Sequence, residues 1–299
     1  MEDFDQTFGL EKRSSPRAES TASGQVLQGN LYSSFIAVAA ATLAISTIAL
    51  CYTVAVSKGD VEPFPNTDIT HCALHAPERY FFRIGMLPAC TVMIYMWWVC
   101  MNWVTAIDGL VDYQGVPESG SWAVRLLAAV STCKCCTSAQ SVAFVLGSLG
   151  AMCLIVASSV LEADNGDDCE TLWTIHIFCA STFFLLTILA QAIITVKLKI
   201  VSLYYFPAVI SYASMSFKVL LSALAVGFLL VDALISTLSA PSQYTNALEW
   251  IEVAFICAYF FTFAADWSKQ VLVATTVYTP PPGLVQEDTI PAVEPSIAP

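Results

Sequence analysis

Hydrophobic residues in this chain come in long runs with little or no charge, rather than at the alternating spacing of a half-buried strand. A helix rises 1.5 Å per residue, so about 20 apolar residues cross a hydrocarbon layer of roughly 30 Å. No charge stands between Glu19 and Lys58, and residues 33–56 form the first such run. Residues 84–107, 138–161 and 171–196 form the next three. The fifth is harder to bound, because 200–231 is apolar except for Lys218, more than one span needs and less than two. We place the fifth span at 215–236, with 200–214 lying along the interface. Lys218 and Asp232 are then expected to snorkel to opposite headgroup layers. The sixth run, 247–267, carries Glu249 and Glu252 inside its first turns. The pattern predicts an all-α membrane protein, a six-transmembrane-helix bundle, because a helix satisfies its own backbone in lipid.

The ends are different material. Residues 1–30 are polar and serine-rich, and 269–299 are laden with proline, so both are expected to be disordered tails flanking a folded part at 31–268. The first apolar run is too long, and follows too long an acidic tail, for a cleaved signal peptide.

Composition agrees. Of 299 residues, 57% are hydrophobic and only 12% are charged, against about 25% charged in soluble domains. A net charge of -12 excludes a nucleic-acid partner, and the scarcity of charge excludes a soluble enzyme core. The basic residues set the orientation. Lys12, Arg13, Arg17, Arg125, Lys134, Lys197, Lys199, Lys218 and Lys269 fall in the tails and the even loops, against Lys58, Arg79 and Arg83 in loop one. Both termini are therefore expected in the cytosol, with loops one, three and five on the lumenal or exterior side.

That topology sorts the cysteines. Cys72 in loop one and Cys169 in loop three would share an oxidising compartment and could pair as a disulfide. Cys133, Cys135 and Cys136 lie in a TCKCCT stretch just before span three, where palmitoylation and plain reduced thiols are both open readings. A zinc site is a poor reading there, since no fourth ligand follows. The acidic loop three, with five acids between Glu162 and Glu170, lacks calcium-loop spacing. No P-loop, G-x-S-x-G elbow or H-E-x-x-H pair is present, and neither a cofactor nor a metal is expected.

One constellation remains. Glu78, Arg79 and Arg83 crowd the start of span two, His176 lies one to two turns into span four, and Glu249 and Glu252 open span six, all on one side. Ionisable groups in a span cost several kcal/mol, on the order of 3, unless they face a polar cavity or a partner. The six residues predict either a lumenal polar cavity for a lipid headgroup or an ion-pair network that only holds helices together.

Several stretches carry a family resemblance: the P-E-R-Y-x-x-R run at 77–83, the Ile175-His176 pair, the Leu248-Glu249-Trp250 opening and the acidic close at Asp266. In these the chain resembles the Frag/DRAM/Sfk family of six-span membrane proteins, which share a CWH-type N-terminal domain, and within it the branch of post-GPI-attachment factors. The resemblance covers about residues 31–271. It implies a Golgi or ER membrane protein that supports acyl-chain remodelling of glycosylphosphatidylinositol (GPI) anchors, with a GPI-type glycolipid as partner. Other branches imply a lysosomal or plasma-membrane scaffold in autophagy or phosphoinositide-kinase recruitment.

Overall fold

Each apolar run is helical, as it must be where a backbone amide finds no water and has to bond within its own segment. The computed structural model describes residues 29–108, 138–161, 169–204, 210–238 and 242–268. They form α1 (Gly29–Lys58), a 3-10 turn at His71–Ala73, α2 (Glu78–Asp108), α3 (Ala139–Val160), α4 (Cys169–Tyr204), α5 (Tyr212–Thr237) and α6 (Ser242–Trp267). All six helices are long and apolar enough to cross a membrane. The tails expected to be disordered, and Cys133, Cys135 and Cys136, lie outside the described residues.

Among the described residues each helix packs on the next one described, and α6 returns to α1, so these six close a ring. Inside it, aromatic side chains of α2 and α6 interlock edge to face. Trp97 meets Phe260 at 6.0 Å between ring centroids, and Trp103 meets Phe263 at 6.1 Å and Trp267 at 6.0 Å. Edge-to-face contact suits the quadrupole of each ring and adds to the gain from burying so large a side chain. Where α3 crosses α2, Gly147 lies flat against the Trp97 indole, leaving no room for a Cβ. Outside the ring, Phe35, Ile84, Phe178 and Leu230 are all more than 60% exposed, the apolar girdle that lipid would cover.

The fifth span differs from the expectation drawn from spacing. No interfacial segment breaks off at residue 200, because α4 continues to Tyr204. Residues 197–204 hold neither glycine nor proline. Lys197, expected in a loop, is buried inside α4 and is neutralised by Asp108 at 2.7 Å. Nor does Lys218 snorkel. It is fully buried, with Nζ 2.9 Å from Asp266 Oδ2, donating to Thr262 Oγ1, and 4.2 Å from the centroid of the Phe263 ring. A polar chain toward the middle of the bundle continues this region: Thr195 bonds both Ser222 and Tyr259 at 2.8 Å.

Candidate functional site

Loop one, between α1 and α2, gathers one end of the bundle. Its backbone is held by three α6 side chains on one helix face. Asn246 Nδ2 donates to Asn66 O at 3.0 Å, Trp250 Nε1 donates to Thr67 O at 3.0 Å, and Glu249 Oε2 accepts from Ile69 N at 3.3 Å. Positions three and four apart on a helix are neighbours, which is why 246, 249 and 250 grip one strand of loop. The loop also fixes itself. Asp68 accepts from the His71 backbone N–H at 2.6 Å and meets His71 Nδ1 at 2.7 Å, which holds the His71 pKa above its ordinary value.

His176 sits on α4 beneath this loop, 3% exposed, with its ring stacked on Trp173 at 5.7 Å. Nδ1 lies 2.9 Å from Ala157 O, and a carbonyl only accepts, so Nδ1 carries a proton. In the neutral ring Nε2 is then an acceptor, and the Thr70 hydroxyl, 3.1 Å away, donates to it. Both nitrogens being taken, the hydrogen bond between His176 and Glu249 that general-base catalysis would use is not formed. The histidine instead binds three pieces together: α4, loop one and the end of α3.

Two cavities adjoin here. One is apolar, about 600 Å³ counting the space that opens to solvent at its mouth, and is walled by side chains such as Ile48, Phe82, Met86, Met93 and Val253, with Thr70, His176 and Glu249 at its polar lip. Its wall on α2 runs from Phe82 to Met93, about 16 Å along the axis at 1.5 Å per residue. That depth is about half of a hydrocarbon core near 30 Å thick, the thickness of one leaflet's acyl chains. The other, about 800 Å³, is a polar cleft among loop one, α4, α5 and α6, with Asp68, Asp232, Glu249 and Glu252 in its walls. Thr70, Ala180, Phe184 and Glu249 line both and form the partition between them.

The six residues expected to make one cavity divide. His176, Glu249 and Glu252 line these two spaces, whereas Glu78, Arg79 and Arg83 line neither. Glu78, buried at the start of α2, pairs with Lys58 Nζ at 3.1 Å, and its charge suits a helix N-terminus. The Arg79 guanidinium lies 5.4 Å from the Tyr80 ring. Arg83 Nη2 donates to Leu161 O at 2.7 Å and so closes the carboxyl end of α3. Asp232, expected at a headgroup layer, lines the polar cleft at the loop-one end, half-buried. Thr70 and Asp68 were not expected in the site. Their only trace in the sequence is a polar loop whose Asp68 stands three residues before His71.

Of the two cysteines that could pair across loops one and three, only Cys72 has a described side chain. Cys72 is a free, buried thiol whose Sγ donates to Asp68 O at 3.1 Å, and burial pushes its pKa up to about 11. The side chain of Cys169 lies outside the described residues. Among the described residues no three His, Cys, Asp or Glu side chains are placed to hold a metal ion.

Residues 32–270 match the family model of the Frag1/DRAM/Sfk1/Cwh43P N-terminal domain. The chain belongs to this family. The Frag1/DRAM/Sfk1 match spans all six helices but for the first three residues of α1, so both cavities and every element that builds them lie within the family domain. No curated protein and no solved structure matches the chain significantly.

Proposed function

We propose that this Frag1/DRAM/Sfk1 membrane protein holds an acyl chain of a GPI-type glycolipid in its apolar cavity and supports acyl-chain remodelling of the anchor. The observation that carries the reading is the juxtaposition of an apolar space of one leaflet's depth with a larger polar cleft across a shared wall. The positive-inside rule supports a lumenal position for loop one and for both cavities. The sequence resemblance to the post-GPI-attachment branch supports the choice of lipid and a Golgi or ER location.

Within this reading the residues have separate tasks. His176 and Thr70 fix the lip where the acyl ester would rest, and Glu249 ties loop one to α6 while facing both spaces. Arg83, joined to Leu161, is part of the frame.

The test is lipid analysis of GPI-anchored proteins from cells lacking the gene. Altered anchor acyl chains, or reduced surface retention of anchored proteins, are expected, with ordinary membrane proteins unchanged. Restoring the wild-type chain should correct this. Unchanged anchors together with an autophagy or phosphoinositide defect would contradict the reading and favour a scaffold instead.

A further inference from the structure

Among the residues that wall the polar cleft, four are carboxylic acids and none is lysine, arginine or histidine. Two of the four have partners. Asp68 is answered by His71, and Glu249 accepts from the Ile69 amide. Glu252 is different: it lines the cleft, is only 3% exposed, and its Oε1 has no hydrogen-bond partner. Buried polar atoms are almost always satisfied, and one that is not asks for an occupant. Asp232, half-buried across the cleft on α5, likewise has no hydrogen bond or ion pair among the described residues.

A small inorganic cation would be the simplest occupant, yet no three of the described acids are near enough together to share a metal ion. The carboxylates are spread around about 800 Å³ of space, which suits an organic cation reached from several sides. An anion does not suit it, since a phosphate would meet acids on three walls with no facing base. We propose that the cleft recognises a protonated amine on a lipid headgroup, held by Glu252 and Asp232, while the acyl chain lies in the adjoining apolar cavity.

This inference rests on the lipid-binding reading and sharpens it: the head is read by its amine, with its phosphate left outside the acidic cleft. The shared chemistry is a primary ammonium, and it has two sources, an amino sugar of a glycolipid or the ethanolamine of a phospholipid. Both can be offered in pairs that differ only in N-acetylation, which removes the charge.

The experiment uses the full chain in phosphatidylcholine nanodiscs, with bound lipid quantified by native mass spectrometry. The probes are glucosaminyl-phosphatidylinositol against its N-acetyl form, and phosphatidylethanolamine against its N-acetyl form. The expected result is that the free-amine glycolipid binds at least about tenfold more tightly than its acetylated partner, the scale of one charge-assisted hydrogen bond. Glu252→Gln and Asp232→Asn should each bring that ratio toward one. Glu252→Gln should also melt no lower than wild type, because the fold draws no hydrogen bond from Oε1. Equal binding of both glycolipid forms would overturn the amine site while leaving lipid binding intact. No binding of any probe would overturn the lipid-binding reading and the inference with it. A preference confined to the ethanolamine pair would keep the ammonium site and contradict the glycolipid source.

Discussion

Lys218 and Asp266 stand 2.9 Å apart with almost no exposure, at the end of the bundle opposite loop one. Two opposite charges in such surroundings are tolerated because each answers the other, and Thr262 and the Phe263 ring complete the shell of the lysine. Removing one partner typically costs about 3–5 kcal/mol, whereas removing both for apolar residues of similar size is often neutral. Lys218→Met is therefore expected to melt far below wild type, and Lys218→Met with Asp266→Leu to recover most of the loss, measured by thermal unfolding in detergent. A second residue-scale prediction concerns loop one. The bond to Asp68 favours charged His71, raising its folded pKa above 6.5. The stabilisation is thus fully present below about pH 6.5 and fades as pH rises through the folded value. Limited proteolysis of loop one should become faster between pH 6 and pH 8, and His71→Gln should remove most of that dependence. The sequence revealed that Glu249, Glu252 and His176 were costly in a span and needed a cavity or a partner. It misplaced Lys218, because position along a helix gives depth in the membrane but not the direction in which a side chain points.

Among the elements, α3 is fitted to α2 at two points. Gly147 allows it to lie against Trp97 of α2, and Arg83 of α2 satisfies a carbonyl at its end. Gly147→Val must push the indole or the helix aside, and overpacking of this kind costs about 1–3 kcal/mol. Arg83→Ala leaves Leu161 O without its charged donor, a loss of about 1.5–3 kcal/mol. Both variants are expected to lower thermal stability and cellular abundance. Protein that still folds with Arg83→Ala should bind lipid as wild type does, since Arg83 lines neither cavity. Reduced binding at normal abundance would return Arg83 to the ligand site. The six helices were legible because apolar length alone decides them. The boundary between α4 and α5 was not, since Lys197 reads as a loop charge until its partner Asp108 is known, and that residue is far away in sequence.

For the whole molecule, the closed ring of helices carries the two cavities at its loop-one end and the buried Lys218–Asp266 pair at the other. Loop one lies over the end where α4 and α6 begin and ties them together through Thr70 and the Asn246, Glu249 and Trp250 face, while Glu78 ties the start of α2 to Lys58 at the end of α1. Sequence spacing could place six ionisable residues on this side but could not divide them between cavity and frame, which needed the contacts of loop one. The proposed orientation predicts that single cysteine reporters at Ser20 and Ser296 are labelled only from the cytosolic side of sealed vesicles. The central claim is that the apolar cavity holds an acyl chain. Ala180 stands in the wall between the two cavities, so Ala180→Phe should fill the space a chain would take. The most direct measurement is the lipid retained by purified wild-type protein and by Ala180→Phe, counted by native mass spectrometry beside a thermal melt of each. Wild type is expected to retain a GPI-type lipid and the variant to lose it without melting lower. Equal lipid in both at equal stability would contradict the account.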